Sequence, residues 1–280
     1  MQGNLYTFGC SFAQYSWPMW PDIISQNYNI TKNYGQPGGG NFYIFHNATI
    51  LLLSGKVKNT DTVIIQWTEP ARTDYADIND NWVGAGSMNA ELLIKAKLDF
   101  LISDKTSIMK TLTYMVNIIS LLENIGCNWY FMYMTPESIV HSLKISELFL
   151  NSNLFYTYNA LIKKILPYKH RCVDSISMSE FYHDKNIPVK TCYHYTEKHK
   201  MQSYRDDHPI PIHTLAYIKE VVSLTIPTLN ITKMEEYVNE IMKLFGNQTQ
   251  LNIPNLTKGL LKNKKLLNFK HAIDSRNINE

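Results

Sequence analysis

The sequence predicts an α/β fold, a three-layer α/β/α sandwich built around a central, mostly parallel sheet. Strand-like runs alternate with helix-like segments along the chain, and the connections between them are short. The run Thr62–Trp67 (TVIIQW) is continuous and rich in β-branched residues, which is typical of a strand covered on both faces. A chain of 280 residues, 45% of them hydrophobic, can bury the core that such a sandwich requires.

Each predicted element rests on its own pattern of apolar residues and on glycine or proline near its ends. In the first half of the chain the elements are a strand at Leu5–Phe8, a helix over residues 18–26, an extended piece over 28–34, a helix from the glycine-rich turn 37–41 to about residue 53, and the strand at Thr62–Trp67. In the second half they are helical segments over 89–124 that stop at Gly126, a strand over 128–134, a helix over 154–165, a short strand over 172–174 and a final helix over 212–224.

The sequence becomes more polar and richer in lysine after about residue 229, and this change predicts two regions. Residues 1–228 form the α/β domain, and residues 229–280 form a helical, lysine-rich C-terminal extension that begins with an amphipathic helix over 231–245. We interpret the lysines of this extension as a solvated face or tail. A basic arm that binds phosphate or a protein partner stays open as the alternative.

Charge, hydropathy and cysteine content exclude several classes of protein. A net charge of +3 is too small to indicate nucleic-acid binding, and no uninterrupted apolar run reaches membrane-spanning length. The first residues show neither the basic region nor the cleavage site of a secretory signal, and the four cysteines are scattered. We therefore expect reduced thiols and a cytoplasmic location.

Four cysteine and histidine residues that lie close together suggest zinc at first sight. Their spacing matches no established zinc site, however; they are His183, Cys192, His194 and His199. We interpret the segment that holds them as a solvated or substrate-covering loop, and we expect neither a metal nor a cofactor.

A serine after the first strand and a histidine far along the chain carry the chemistry. Ser11 stands at the predicted carboxyl end of the first strand, where the ligand crevice of a parallel sheet lies. His208 offers a base for the Ser11 hydroxyl, and Asp206 or Asp207 offers an acid that orients the imidazole.

Acyl transfer also needs donors for the oxyanion that develops on the substrate carbonyl. The backbone N–H of Ser11 and that of Gly38 or Gly40 are the candidates, because glycine lets the backbone approach a ligand closely.

The order of these motifs resembles that of the SGNH (GDSL-like) hydrolases. The nucleophile block reads Gly9-Cys10-Ser11-Phe12, the glycine block spans residues 33–41 (NYGQPGGGN), and the last block spans residues 206–217 (DDHPIPIHTLAY). The resemblance covers residues 5–224. It implies a flavodoxin-like hydrolase fold in which Ser11 is the nucleophile, His208 the base and Asp206 the acid.

The sequence departs from the family in its third block. The family's Gly-x-Asn, whose Asn donates to the oxyanion, is replaced by residues 67–72 (WTEPAR). Ionised Glu69 cannot donate, so Thr68 or Arg72 would have to supply that donor, and we predict Ser11, Gly38 and Thr68 as the oxyanion hole. Loss of one donor typically costs about a hundredfold in rate, so we expect reduced activity or none.

The resemblance implies an ester substrate. Five residues are predicted to line the substrate site: Trp17, Gly40, Asn41, Trp67 and Arg72. Because tryptophan rings stack on sugars, we predict a serine esterase that hydrolyses a small-molecule or glycan ester, specifically an O-acetyl carbohydrate ester. The alternatives are a non-catalytic SGNH-like binding or structural protein, such as one of a virus particle, and an acyltransferase on the same scaffold.

Overall fold

Five parallel strands form the central sheet of the computed structural model, which describes residues 3–76, 82–84, 103–187, 190–195, 201–246, 248 and 250–262. The strands in chain order are β1 (Leu5–Phe8), β2 (Thr31–Asn33), β3 (Thr62–Trp67), β4 (Asp74–Ala76), β5 (Trp82–Gly84), β6 (Asn128–Tyr133), β7 (Cys172–Val173), β8 (Lys190–Tyr195), β9 (Met201–Asp206) and β10 (Gln250–Asn252). The central sheet has the order β2-β1-β3-β6-β7, and every neighbouring pair in it is parallel.

This strand order is that of flavodoxin-like sheets, in which the chain crosses over beside the first strand. Ligands of such sheets bind beyond the carboxyl ends of the strands at that crossover. Here the place lies after β1 and β3, which end at Phe8 and Trp67. The fold therefore brings the segments that follow these two strands to one edge of the sheet.

Helices cover both faces of the sheet. In chain order they are α1 (Trp20–Ile24), α2 (Asn41–Leu53), α3 (Asp104–Ile125), α4 (Leu143–Glu147), α5 (Phe155–Ile165), α6 (Met178–Asp184), α7 (Pro211–Tyr217), α8 (Ile231–Met242) and α9 (Ile253–Lys262). Alternate residues of one strand belong to two separate buried clusters: Ile64 of β3 packs with α1, α6, α7 and α8, whereas Val63 and Ile65 pack with α2, α3 and α5. The predicted three-layer sandwich is confirmed.

Most predicted elements are found with small differences at their ends. Helix α2 begins after the glycine turn and ends at the predicted residue, and α3 ends before Gly126, whose left-handed φ of 72° stops the helix. The predicted helix over 212–224 begins with α7 and continues through a wider π-helical turn, Ile218–Val222. The predicted helical segment before residue 103 lies outside the described residues.

The structure of residues 190–195 and 201–206 differs from the predicted loop. Strands β8 and β9 form an antiparallel pair, and β10 adds to β8 as a parallel neighbour. The segment interpreted as a loop therefore contains two paired strands, the second of which ends at Asp206. Cys192 and His194 lie on β8, His183 is exposed at the end of α6, and His199 lies outside the described residues.

The first part of the predicted C-terminal extension belongs to the core. Met234, Val238 and Ile241 of α8 are fully buried in the cluster that also contains residues of β1 and α7. Leu256 and Leu260 of α9 join the same cluster. The predicted division at residue 229 therefore does not coincide with a break in this core. Residues 263–280, which hold several of the lysines, lie outside the described residues.

Within the described residues, no helix combines the length and the apolar character that crossing a membrane would require.

A buried carboxyl group lies in the first helix. Asp22 of α1 is 6% exposed, and its Oδ2 accepts a hydrogen bond from the Met19 N–H at 2.9 Å. Burial raises the pKa of this carboxyl from 3.8 to about 7, against the opposing effect of that hydrogen bond. The native protein therefore holds a proton that the unfolded chain releases above pH 4.

We predict that Asp22 makes the protein less stable as the pH rises from about 4 to 7. The native state binds more protons than the unfolded state in this window, so the free energy of unfolding must fall with pH. Asp22→Asn stays neutral and keeps an acceptor for Met19, so its stability relative to wild type should rise by about 2–4 kcal/mol between pH 4 and pH 8.

Urea unfolding at several pH values measures this difference. Asp104→Asn, an exposed change in the first turn of α3, is the control and should follow wild type. A constant difference between Asp22→Asn and wild type across the pH range would contradict the prediction.

Candidate active site

The loop after β1 makes a tight turn that carries Ser11. The N–H groups of Ala13 and Gln14 both donate to the carbonyl of Cys10, at 2.9 and 3.1 Å. Gly9 allows this turn, because a Cβ at residue 9 would lie 2.7 Å from the Cβ of Ala13. Ser11 is left 8% exposed at the carboxyl edge of the sheet.

The neighbouring thiol points elsewhere. Cys10 is fully buried, and its Sγ lies 3.1 Å from the Sδ of Met134, which follows β6. A buried thiol against a thioether is not available to a substrate. Of these two adjacent residues, Ser11 keeps some exposed surface and Cys10 keeps none.

His208 and Asp206 form a hydrogen-bonded pair at the end of β9. Oδ1 of Asp206 accepts from both the backbone N–H of His208, at 2.8 Å, and the ring Nδ1, at 2.9 Å. The Asp207 carboxylate lies farther off, 3.9 Å from Nδ1, and is mostly exposed. The carboxylate that binds the imidazole ring is thus that of Asp206, which is 3% exposed.

The pKa of Asp206 is lowered by its hydrogen bonds. Burial alone would raise this pKa, but donation from the His208 ring, the Tyr15 hydroxyl and the His208 backbone, together with the imidazole charge, outweighs that effect. Asp206 is therefore ionised at neutral pH, and the proton of the Asp206–His208 bond resides on Nδ1 of the imidazole.

Residues of the Ser11 loop pack directly against His208. The Tyr15 ring stacks on the imidazole with centroids 3.8 Å apart, and the Phe12 ring lies 5.1 Å away at a tilt. The Tyr15 hydroxyl donates to Oδ2 of Asp206. The Nε1–H of Trp17 donates to the carbonyl of Pro209 at 2.8 Å, which ties the two segments together once more.

The structure thus brings the Ser11 loop and the His208 loop together. The bond between Ser11 Oγ and His208 Nε2 is not formed: Nε2 is buried and has no hydrogen-bond partner among the described residues. Catalytic hydrogen bonds are often long or absent without substrate and tighten when it binds. The contacts of Tyr15 and Phe12 with His208 were not predicted from the sequence, where aromatic residues after a turn are indistinguishable from core residues.

The glycine turn lies beside the Ser11 loop. Gln36 N–H donates to the carbonyl of Gly9 at 3.0 Å, and Gly38, two residues on, has a left-handed φ of 76°. Among the described residues, none accepts a hydrogen bond from the N–H of Ser11 or of Gly38. Both predicted backbone donors of the oxyanion hole are therefore unpaired within the described part of the chain.

Gly40 is not available in the same way. Its N–H donates to Oδ1 of Asp74 at 2.6 Å, and the Tyr43 N–H donates to Oδ2 at 2.8 Å. The buried Asp74 carboxylate therefore caps the beginning of α2 from a neighbouring strand. Gly40 supports the helix start and does not present a free donor.

Thr68 and Asn41 bind each other. Thr68 N–H donates to the Asn41 amide oxygen at 2.9 Å, and the Asn41 amide nitrogen donates to the Thr68 carbonyl and to the Thr111 hydroxyl, both at 3.0 Å. The Thr68 hydroxyl points at Met134 Sδ, 3.4 Å away. The predicted oxyanion donor Thr68 thus has both donors engaged, and Asn41 holds β3, α2 and α3 together.

The remaining predicted substrate residues are mostly in the core. Trp17 and Trp67 are fully buried, so neither ring offers a face on which a sugar could stack. Arg72 packs beside Gly40, and its Nε is buried without a partner in the described part of the chain. The stacking assignment for the tryptophans is therefore corrected: they are packing residues.

One group of side chains has the composition of a metal site. Asp206, Asp207 and His208 each offer a ligand atom, and these atoms lie within 4.8 Å of one another. The Asp206 oxygens already accept hydrogen bonds from His208 and Tyr15, and Asp207 is mostly exposed. Because the most buried carboxylate faces donors, we do not assign a metal to this group.

No protein-family model matches the sequence, and no curated protein matches it with significance. Among solved structures, the chain is similar to a member of the lipolytic protein G-D-S-L family from Veillonella parvula, with 11% identity and a TM-score of 0.35 over 88% of this chain and 99% of that one. It is also similar to the protein YxiM from Bacillus subtilis, with 11% identity and a TM-score of 0.38 over 72% of this chain and 52% of that one, so it matches about half of YxiM. Similarities of this size carry no conclusion about activity.

We predict that the Asp74 cap stabilises the α2 start. Asp74→Ala leaves the N–H groups of Gly40 and Tyr43 without their acceptor, which should lower the free energy of unfolding by about 2 kcal/mol. Urea unfolding measures this loss. The control is Asp104→Ala, which removes an exposed carboxylate from the first turn of α3 and should cost far less. Equal losses in both variants would contradict the capping role.

Proposed function

We propose that the protein is a serine esterase that hydrolyses a carboxylic ester through an acyl-enzyme, with Ser11 as nucleophile, His208 as base and Asp206 as the orienting acid. The observation that supports this most is the state of the imidazole. The Asp206 carboxylate binds its Nδ1 at 2.9 Å, and Tyr15 of the Ser11 loop stacks on its ring. A carboxylate on Nδ1 leaves the lone pair on Nε2, as a general base requires.

In the first step, Ser11 Oγ bonds to the carbonyl carbon of the ester while His208 Nε2 takes the hydroxyl proton. The π electrons of the carbonyl move onto its oxygen, and the N–H groups of Ser11 and Gly38 donate to that oxyanion. The tetrahedral intermediate then collapses, and the alcohol leaves with the proton from His208 Nε2.

In the second step, water replaces the alcohol. His208 Nε2 takes a proton from the water as its oxygen attacks the acyl carbon, and the same two N–H groups receive the second oxyanion. Collapse releases the carboxylic acid and returns the proton to Ser11 Oγ. Throughout, Asp206 keeps the proton of Nδ1 in place and stabilises the imidazolium that forms.

The low exposure of the serine favours a short acyl group. Ser11 is 8% exposed, so we expect a small acetyl group to reach its hydroxyl more easily than a long acyl chain. An O-acetyl carbohydrate ester stays our substrate hypothesis, now without support from the two buried tryptophans.

A non-catalytic binding or structural protein is the second candidate. It is favoured by one observation, the unformed bond between Ser11 Oγ and His208 Nε2. An acyltransferase differs from the esterase only in the acceptor of the acyl group, and an alcohol added to the assay distinguishes the two.

We predict that a fluorophosphonate probe labels Ser11 and that acetate is released from p-nitrophenyl acetate. Ser11→Ala and His208→Ala should each lower kcat for p-nitrophenyl acetate by about a thousandfold or more, because they remove the nucleophile and the base. Peptide mapping locates the label, and absorbance follows the hydrolysis.

Cys10→Ala is the matched control. It changes the residue next to Ser11, but its thiol lies against Met134, so labelling and hydrolysis should persist. Absence of labelling, with p-nitrophenyl acetate turned over equally by wild type and Ser11→Ala, would exclude the esterase and favour the non-catalytic protein. A panel of acetylated glycans scored by released acetate then tests the substrate class.

A further inference from the structure

One tyrosine contacts both members of the acid–base pair. The Tyr15 hydroxyl donates to Asp206 Oδ2, and the Tyr15 ring stacks on the His208 imidazole, with centroids 3.8 Å apart and planes within 14° of parallel. Tyr15 lies only four positions after Ser11 in the same loop. It therefore joins the loop of the nucleophile to the loop of the base.

The short spacing between Asp206 and His208 explains why a third contact matters. With one residue between them, a single oxygen, Oδ1, accepts both the His208 N–H and the His208 ring Nδ1, at 2.8 and 2.9 Å. The other oxygen, Oδ2, receives nothing from His208. Without a donor there, the carboxylate could rotate and its second oxygen would be buried without a partner.

Tyr15 is itself held by an aromatic neighbour. The Trp17 ring meets the Tyr15 ring edge-on, with centroids 4.7 Å apart, and Trp17 is fixed by its hydrogen bond to Pro209. Phe245, which follows α8, packs edge-on against Trp17 at 6.3 Å. The position of Tyr15 is thus set by the core and not by solvent.

From these contacts we propose that Tyr15 is a positioning residue for the reaction, fixing the Asp206 carboxylate through its hydroxyl and the plane of the His208 imidazole through its ring. This inference rests on the proposed esterase function. Its role is distinct from that of a catalytic residue, because Tyr15 acts on the substrate only through Asp206 and His208. In geometry, it supplies the second anchor that the short Asp-x-His spacing leaves open.

Tyr15→Phe tests the hydroxyl while keeping the ring. It should lower kcat about tenfold, as expected for loss of one hydrogen bond to a charged group, and leave KM within about twofold, because substrate contacts do not change. It should also raise the pKa of Asp206, since one of the bonds that lower that pKa is gone. Tyr15→Leu removes the stacking as well and should lower kcat further.

Tyr158→Phe is the matched control. Tyr158 is buried, stacks on Phe149 at 4.2 Å and donates to the Val140 carbonyl at 3.2 Å, but it belongs to the cluster on the other face of the sheet. Urea unfolding should show similar losses of stability for the two Tyr→Phe variants. Only Tyr15→Phe should change kcat and the titration of Asp206.

The titration of Asp206, followed by carbon NMR of protein with labelled aspartate, does not depend on activity. If wild type labels at Ser11 and Tyr15→Phe keeps both its kcat and its Asp206 pKa, the positioning role is overturned while the esterase stands. If wild type has no esterase activity, the proposed function fails. An unchanged Asp206 pKa in Tyr15→Phe would then overturn the positioning contact too, and a raised pKa would support the contact alone.

Discussion

The hydrogen bonds of the Asp206 carboxylate are the interactions on which the rest of the site depends. This carboxylate accepts hydrogen bonds from the backbone and the ring of His208 and from the hydroxyl of Tyr15, a residue 191 positions away in sequence. A buried carboxylate without donors would take up a proton, and the imidazole would lose the partner that holds its tautomer. One donor, Tyr15, comes from the loop after β1, and the others come from His208 after β9. The ionised state of Asp206 therefore depends on the contact between these two loops.

The sheet determines where this contact forms. Strands β1 and β3 lie side by side and end at the same edge, so the Ser11 turn, Thr68 and the start of α2 are brought together there. Alternate residues of these strands are buried in opposite clusters, so a shift of either strand by one residue would move its side chains into the cluster on the wrong face. The rigid core on both faces of the sheet thus fixes the loops at its edge.

The sequence predicts those parts of the molecule that carry a local signal. Continuous β-branched runs gave β3, the glycine turn gave the start of α2, and Gly126 gave the end of α3, because in each case nearby residues decide the backbone conformation. The pairing of β8 with β9 was missed because this segment was interpreted as a solvated or substrate-covering loop, although the alternation of Thr191, Tyr193 and Tyr195 with other residues has a strand's period of two.

Side-chain partners at the site are harder to predict, because they depend on contacts across the fold. Trp17 and Trp67 were predicted to stack on a sugar because they are aromatic. Their burial depends on helices and strands that are distant in sequence. No sequence pattern distinguishes Tyr15 from other aromatic residues. Its partner Asp206 lies 191 positions away, so only the folded chain brings the two together. The aspartate and histidine could be paired from the sequence because they are two residues apart.

The network around Asn41 explains how the edge of the sheet can differ from the SGNH pattern and still keep its shape. Asn41 and Thr68 exchange two hydrogen bonds, and Asn41 donates also to Thr111. An amide that is bonded in this way cannot turn to a substrate without giving up its bonds to the N–H and the carbonyl of Thr68. In the proposed esterase, the N–H groups of Ser11 and Gly38 are the donors that remain for the oxyanion. Since each missing donor typically costs about a hundredfold in rate, such a site suits esters with good leaving groups, for which the oxyanion needs less stabilisation.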